Sequence, residues 1–255
     1  MNPPILFIHG AFTRAKRWQP WLTYFADAGY ECLAPSLPAH DPPDPSRLAS
    51  LSFADYLTAM IAAQATLDRP PIVIGHSMGG LIAQHVAVSA PCAGLVLVSS
   101  AAPWRTGTTR QALPYAFSYV LPVLAGNPMR ANPRAALELV LHDLPVAEQQ
   151  ELMPTFAFES GRAYRTMVFG NAPIAEGAVT CPVLCLSGAA DRLLNPAVGA
   201  RLASFYQADH LIFPGRGHSL VSASLLDTVA AEVRGWIDSL AERDAEASFQ
   251  SSAAV

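Results

Sequence analysis

The chain has 255 residues and a mass of 27.1 kDa; 51% of its residues are hydrophobic, 14% are charged, and its mean hydropathy is +0.26. A chain of this size and composition can bury a substantial core, which excludes a disordered or fibrous protein. Its 16 basic and 20 acidic residues give a net charge of −4 and form no basic stripe, which argues against binding to nucleic acid or to anionic membranes.

The cysteines give no sign of a metal site. They are Cys32, Cys92, Cys181 and Cys185. Because none of them forms a CxxC pair and metal-ligand spacing is absent, we expect no zinc or other metal ion. Their even number permits a disulfide, but in a chain of this size buried thiols are the expected state.

The hydropathy pattern suggests neither export nor membrane insertion. The first five residues carry no basic region and lead directly into an apolar run, so no signal peptide is predicted. The most apolar stretch, residues 81–98, is interrupted by Gln84, His85 and Pro91, which argues against a membrane span. We therefore expect a cytoplasmic protein.

Short apolar runs alternate with helical patterns along the first hundred residues. Predicted strands lie at 5–8, 30–34, 71–74 and 95–98, and predicted helices at 18–25, 53–67 and 78–90. This alternation is typical of βαβ units and predicts an α/β fold with a mostly parallel sheet.

The alternation stops between residues 103 and 179, where prolines separate helix-like patches and strand-like runs are missing. It resumes with a strand at 183–186, a helix at 197–206, a strand at 210–213 and a final helix ending near residue 240. We therefore predict an α/β core of residues 1–102 and 180–242, a helical cap inserted at 103–179, and a disordered tail at 243–255.

Residues 75–79, Gly-His-Ser-Met-Gly, fit the pattern G-x-S-x-G directly after a predicted strand and directly before a predicted helix. A serine hydroxyl is a weak nucleophile that must be presented openly beside a base, and a tight strand-to-helix turn does this. The flanking glycines let the backbone bend, and the helix directs its N-terminal amides toward the reacting centre. Ser77 is therefore the candidate nucleophile.

A base is expected on a loop that follows the last strand. Gly217-His218 lies there, between a predicted strand and a predicted helix. The other histidines are His9, His40, His76, His85, His142 and His210, and none of them combines a glycine-flanked loop with that position. His218 is therefore the candidate base.

The base needs an acid that orients its ring and stabilises the imidazolium formed during reaction. Asp191 follows the strand that begins at residue 183, and the resulting chain order is Ser, Asp, His. Asp209 and Asp227 are rivals, but the first opens a strand and the second lies within a helical pattern. A solvated surface aspartate remains the alternative interpretation of Asp191.

Acyl transfer also requires hydrogen-bond donors for the developing oxyanion. The Met78 amide is one candidate, because it follows the nucleophile. The first strand ends at the same expected edge of the sheet in His9-Gly10-Ala11, which makes the Ala11 amide the second candidate. The Phe12 amide is the alternative if the register differs by one residue.

Taken together, these motifs resemble the α/β-hydrolase superfamily. The resemblance covers residues 5 to about 240 and includes Ser187-Gly-Ala-Ala-Asp191 and Gly217-His218 as well as the Ser77 turn. It implies a mostly parallel sheet with helices on both faces, a Ser77–His218–Asp191 triad, an inserted cap and no cofactor. A serine at position 77, where a haloalkane dehalogenase has aspartate, argues against that branch.

The sequence thus predicts a cofactor-independent serine hydrolase that cleaves a small apolar carboxylic ester. Phe12 and Trp104 are candidate residues of the substrate pocket. A thioesterase or lactonase would use the same residues. A lyase resembling the hydroxynitrile lyases is a further alternative, suggested by the absence of the usual leading hairpin, although Lys16 is the chain's one lysine and lies outside the predicted cap. A small-molecule receptor without catalysis is the last alternative.

Overall fold

The computed structural model of the protein describes residues 2–240. The predicted tail at 243–255 lies outside the described residues. No helix within residues 2–240 is both long enough and apolar enough to span a lipid bilayer.

Six strands of the described chain form one sheet in which every neighbouring pair is parallel. These strands are β1 (Ile5–Ile8), β2 (Cys32–Leu33), β3 (Ile72–His76), β4 (Gly94–Val98), β7 (Val183–Gly188) and β8 (Asp209–Phe213), in the spatial order β2-β1-β3-β4-β7-β8. The α/β fold with a mostly parallel sheet is therefore confirmed. Only β2 is clearly shorter than predicted, because it lies at the edge of the sheet and pairs over two residues.

Helices pack on both faces of this sheet and also form much of the segment between β4 and β7. The helices of the described chain are α1 (Gln19–Asp27), α2 (Pro45–Leu48), α3 (Phe53–Gln64), α4 (Met78–Ser89), α5 (Leu113–Ala125), α6 (Pro133–Ala135), α7 (Val146–Leu152), α8 (Gly161–Phe169), α9 (Pro196–Tyr206) and α10 (residues 231–240). Shorter helical turns are found at Ala15–Trp18, Ala136–Val140, Met153–Thr155, Ala223–Leu225 and Leu226–Ala230.

The four inner strands β1, β3, β4 and β7 are buried on both faces. Successive side chains of a strand point in opposite directions, so each of these strands packs against both helical layers. The side chains that pack with α3, α4 and α9 include Leu6, Ile8, Val73, Leu95 and Leu97. Those that pack with α1 and α10 include Ile5, Phe7, Ile72, Ile74 and Val96. Burial on both faces explains why the strands read as continuous apolar runs rather than as alternating ones.

The parallel register brings the carboxyl ends of the strands to one edge of the sheet. Ile8 pairs with Gly75, Val98 pairs with His76 and Leu186, and further along the sheet Gly188 pairs with Phe213. The loops that follow β1, β3, β7 and β8 therefore begin side by side. In open α/β sheets this edge is where ligands bind.

The segment between β4 and β7 is mainly helical. It was predicted to contain no strands, but it contains two short ones. We refer to residues 103–179 as the insertion. Within it, β5 (Met129–Arg130) and β6 (Phe158–Glu159) pair in antiparallel fashion. The expectation of no strands was wrong because a pair of two-residue strands is too short to produce a hydrophobic period.

Candidate active site

Ser77 lies at the turn between β3 and α4, in a backbone conformation that residues other than glycine rarely adopt. Its φ and ψ angles are 55° and −121°. Such strain persists only where the surrounding structure enforces it, and it is concentrated at functional sites. Ser77 directly follows the last residue of β3 and directly precedes α4, as the G-x-S-x-G pattern predicted.

The two glycines of the motif allow this turn to pack closely. A Cβ atom at Gly75 would lie 2.7 Å from the Cβ of Ala83 and would also clash with the Gly79 carbonyl. A Cβ atom at Gly79 would clash with the carbonyl oxygens of Ile8 and His9 at the end of β1. Helix α4 can therefore approach the sheet only because both positions lack side chains.

We expect Gly79→Ala to lower the free energy of unfolding by about 2–3 kcal/mol, because the β1 backbone cannot move away without disturbing the sheet. Gly235→Ala in α10 is the matched control, since a Cβ atom there meets nothing within 4 Å. It is expected to raise stability by roughly 0.5–1 kcal/mol through helix propensity. Urea-induced unfolding measures both changes, and equal stability of the two variants would contradict the close-packing argument.

His218 and Asp191 form a buried hydrogen-bonded pair on the loops after β8 and β7. His218 Nδ1 lies 2.8 Å from Asp191 Oδ2, and the two side chains are 2% and 3% exposed. The other oxygen, Asp191 Oδ1, accepts hydrogen bonds from the backbone amides of Leu193 at 2.8 Å and Leu194 at 2.9 Å. The carboxylate is thus fixed from one side and directed at the imidazole from the other.

This pairing determines how the imidazole is oriented. An ionised carboxylate is an acceptor only, so His218 must donate from Nδ1, which leaves Nε2 free to accept a proton. Within residues 2–240, no hydrogen bond joins the Ser77 hydroxyl to His218. In ligand-free sites such bonds are often long and shorten when substrate binds.

His76, the residue before the candidate nucleophile, holds the backbone of His218. Its Nε2 donates to the His218 carbonyl oxygen at 3.0 Å, and the centroids of the two rings are 4.9 Å apart. Burial, followed by the nearby His218 charge, lowers the pKa of His76 well below its usual value. A neutral His76 therefore stabilises the base loop, a contact that no sequence spacing indicated.

Arg17 also supports this loop. Its guanidinium donates to the Ser219 hydroxyl at 2.5 Å, next to the candidate base. Burial lowers the pKa of Arg17 to about 10, although the Glu148 charge opposes the shift. No sequence pattern indicated Arg17, because it lies 202 positions from the serine that it contacts.

The loop after β1 lies directly against Ser77. A Cβ atom at Gly10 would be 3.1 Å from the Cβ of Ser77 and 3.1 Å from the His76 carbonyl oxygen. Met78 is the first residue of α4, so its amide has no partner within the helix. Ala11 directly follows this close contact and Met78 directly follows Ser77, so their two amides stay the candidate oxyanion donors.

Phe12, the alternative donor, has an amide that is already occupied. It donates to Glu159 Oε2 of the insertion at 3.2 Å. The Phe12 ring packs against Tyr119 and Tyr164, with ring centroids 5.7 and 5.5 Å away. Phe12 therefore joins the loop after β1 to the aromatic side chains of the insertion, which favours Ala11 over Phe12 as the second oxyanion donor.

Trp104, the other candidate pocket residue, makes its ring contacts with α9. The ring is 5.4 Å from that of Phe205, and the guanidinium of Arg201 lies over it at 4.2 Å. These contacts do not bring Trp104 together with Ser77.

His9 organises the backbone instead of taking part in proton transfer. Its Nε2 accepts from the Leu37 amide at 2.9 Å, and its Nδ1 donates to the Gly10 carbonyl oxygen at 2.9 Å. Burial, together with the charge of His40, lowers the pKa of His9 to about 3, so the ring is neutral. Within the described chain, no group of three or more His, Cys, Asp or Glu side chains is arranged to hold a metal ion.

A parallel sheet with a strained serine turn and a nearby His–Asp pair defines the class of the protein. The chain belongs to the alpha/beta hydrolase family, whose sequence model matches residues 5–232.

The chain is also similar to individual hydrolases in sequence and in fold. A pyrethroid hydrolase from Sphingobium wenxiniae is 30% identical over 157 residues, a match that covers 60% of this chain and about half (50%) of that relative. A solved pyrethroid hydrolase from Sphingobium faniae has a TM-score of 0.73 at 21% identity, covering 95% of this chain and 100% of the other. A methylesterase from Arabidopsis has a TM-score of 0.70 at 13% identity, covering 91% and 98%. These two structures are similar to this chain in fold.

Proposed function

We propose that the protein is a serine hydrolase that cleaves carboxylic esters through an acyl-enzyme on Ser77. The observation that carries this proposal is the strained Ser77, placed at the same sheet edge as a buried His218–Asp191 pair whose Nδ1–Oδ2 distance is 2.8 Å. A nucleophile, a base with its acceptor nitrogen free, and an acid that orients the base are the parts that acyl transfer requires.

In the first half-reaction, Ser77 Oγ attacks the acyl carbon while His218 Nε2 removes the hydroxyl proton. The carbonyl oxygen becomes an oxyanion, which accepts hydrogen bonds from the Ala11 and Met78 amides. As the tetrahedral intermediate collapses, the bond to the leaving alkoxide breaks and His218 returns the proton to it. The products are the free alcohol and an ester of Ser77.

In the second half-reaction, water takes the place of the serine hydroxyl. His218 removes a proton from the water as it attacks the acyl carbon, and the same two amides stabilise the second oxyanion. Collapse then releases the carboxylic acid, and the proton returns to Ser77 Oγ. Asp191 remains ionised throughout and stabilises the imidazolium form of His218 in both steps.

The substrate is proposed to be a small ester with an apolar acyl group. Phe12 follows the Ala11 amide directly and lies against Tyr119 and Tyr164, so an apolar group bound at Ser77 would meet this aromatic cluster. The pyrethroid hydrolase relative and the methylesterase of similar fold support ester hydrolysis.

The test is release of p-nitrophenol from acyl esters of increasing chain length, combined with mass spectrometry of acid-quenched enzyme. We expect turnover and an acyl group on the peptide that contains Ser77. Turnover with thioesters or lactones but not with esters would change the substrate class and keep the mechanism. If no acyl compound is cleaved and no adduct forms, the protein is not an acyl hydrolase, and the lyase and receptor alternatives take its place.

The pocket assignment is tested with Phe12→Ala. Removing the ring opens space beside the Ala11 amide, so we expect kcat/KM for the longest accepted acyl chain to rise about tenfold. Trp104→Ala is the matched control, because its ring contacts Phe205 and Arg201 instead of Phe12. The chain-length series should be unchanged in this control. A shift in the control and none in Phe12→Ala would reverse the assignment.

A further inference from the structure

Glu159, in strand β6 of the insertion, is a fully buried carboxylate with 0% exposure. Each of its oxygens accepts two hydrogen bonds. Oε1 accepts from the Tyr56 hydroxyl and the Ser160 amide, both at 2.7 Å, and Oε2 accepts from His40 Nε2 and the Phe12 amide, both at 3.2 Å. A buried charge is tolerated only when it is paired and hydrogen-bonded in this way.

His40 supplies the opposite charge. Its Nδ1 lies 3.1 Å from the Pro38 carbonyl oxygen while its Nε2 faces Glu159, so both ring nitrogens face acceptors and both must donate. Burial opposes the charged form of His40, but the Glu159 charge and hydrogen bond outweigh it and raise the pKa of His40. Burial likewise opposes ionisation of Glu159, yet the His40 charge and the surrounding donors lower its pKa. The two groups form a buried ion pair.

This ion pair acts on the backbone of Phe12, which has a positive φ of 61°. The insertion binds both polar groups of that residue: Glu159 accepts its N–H, and the Ala157 amide donates to its carbonyl oxygen at 2.7 Å. A left-handed phenylalanine is unfavourable unless such contacts hold it. Because the Phe12 N–H belongs to the peptide unit that follows Ala11, holding that unit restrains the carbonyl side of Ala11 and so limits how the Ala11 amide can turn.

We propose that Glu159 is a positioning residue for the oxyanion hole: through the Phe12 amide, it holds the loop after β1 so that the Ala11 amide points at the oxyanion formed on Ser77. This inference rests on the proposed ester hydrolysis. It makes the insertion part of the catalytic apparatus even though Glu159 touches neither substrate nor Ser77.

Glu159→Gln tests this role with almost no change in shape. The Phe12 and Ser160 amides are obligate donors on opposite oxygens of the side chain. A glutamine has one acceptor oxygen and one NH₂ group, so its NH₂ group must face one of these two amides, which then has no acceptor on the side chain. The variant therefore loses either the Phe12 or the Ser160 hydrogen bond. Selective ¹⁵N-phenylalanine labelling reports which one, with the Phe12 signal assigned from Phe12→Tyr.

The positioning role predicts that kcat falls only in variants that lose the hydrogen bond from the Phe12 amide. If that bond is lost, we expect kcat to fall about 10–100-fold with KM changed less than about threefold, because the oxyanion forms only after substrate has bound. The Kd of an alkylboronic acid, which forms a tetrahedral adduct on Ser77, should rise by a similar factor. If the bond is kept, kcat and Kd should stay near their wild-type values.

Two further variants keep the test decisive. Tyr56→Phe removes a donor from Oε1 but leaves the Phe12 contact on Oε2, so it should lower stability with kcat within about twofold of wild type. Glu159→Asp keeps the charge but withdraws the carboxylate by one methylene, and it replaces Glu159→Gln if that variant does not fold. The same relation between the Phe12 signal, kcat and Kd must hold in it.

Different outcomes overturn different claims. Loss of the Phe12 hydrogen bond with unchanged kcat and boronate affinity overturns the positioning role and leaves ester hydrolysis standing. A reduced kcat with the Phe12 hydrogen bond intact does the same. If the wild-type protein neither cleaves esters nor binds the boronic acid, the proposed function fails and the positioning role fails with it.

Discussion

Replacing Ser77 with alanine is expected to reduce kcat for ester hydrolysis by about 10⁴–10⁶-fold, because the acyl group then has no nucleophile to accept it. KM should change little, since the hydroxyl acts mainly as the bond to the acyl carbon forms. Alanine retains a Cβ atom, so the strained conformation at φ 55° is no less and no more favourable than with serine. The variant should therefore fold with near wild-type stability.

Ser99→Ala is the matched control for this variant. Ser99 follows β4, the strand next to β3, and it also has a positive φ, of 42°. Its buried hydroxyl has no hydrogen-bond partner among residues 2–240. Removing it deletes a serine hydroxyl from the same sheet edge without touching the proposed chemistry, so kcat should remain within about threefold of wild type.

The measurement is p-nitrophenol release by wild type, Ser77→Ala and Ser99→Ala at matched concentrations, with acyl-enzyme detected by mass spectrometry. Activity retained by Ser77→Ala would show that another group attacks the ester. Activity lost in Ser99→Ala but retained in Ser77→Ala would move the nucleophile to the neighbouring strand end. Because both variants keep the backbone intact, neither result can be attributed to a collapsed sheet.

The sheet could be predicted from the sequence because its four inner strands are buried on both faces. Runs such as residues 5–8 and 95–98 carry apolar side chains at every position, and helical periods separate them. The structure confirms these strands to within a residue or two. The β5–β6 pair could not be found in this way, because its pairing is decided by contacts between distant parts of the insertion.

The same distinction applies to the candidate site. The Ser77 turn, Asp191 and His218 were predictable because each follows a strand, and parallel strands bring such loops to one edge. Glu159 gave no comparable signal. Three of its partners, Phe12, His40 and Tyr56, lie more than one hundred residues earlier in the chain, and only the folded insertion brings them together.

The Asp191→Asn variant is expected to lower kcat by about 10⁴-fold while leaving the site folded. The structure gives a specific reason. Asp191 Oδ1 accepts from two backbone amides, those of Leu193 and Leu194, which can only donate. In the asparagine variant the carbonyl oxygen must stay on that side, and the NH₂ group must therefore face His218.

An NH₂ group facing His218 reverses the hydrogen bond. His218 Nδ1 would have to accept instead of donate, so the proton of the neutral ring would move to Nε2. That nitrogen is the one proposed to take the proton from Ser77, and it would no longer be free. The ring keeps its position and its hydrogen bond but holds the wrong tautomer, which explains why a large loss of rate is expected without a loss of stability.

Asp143→Asn separates this mechanism from a general effect of negative charge near the base. The Asp143 carboxylate lies against Gly217, directly before His218, and among residues 2–240 it has no hydrogen-bond partner. If the base needs only a nearby negative charge, both variants should lose activity. If it needs a hydrogen-bond acceptor opposite Nδ1, only Asp191→Asn should lose activity, and ¹⁵N shifts of the His218 ring should report a proton on Nε2. Full activity in Asp191→Asn would show that the 2.8 Å contact does not orient the base.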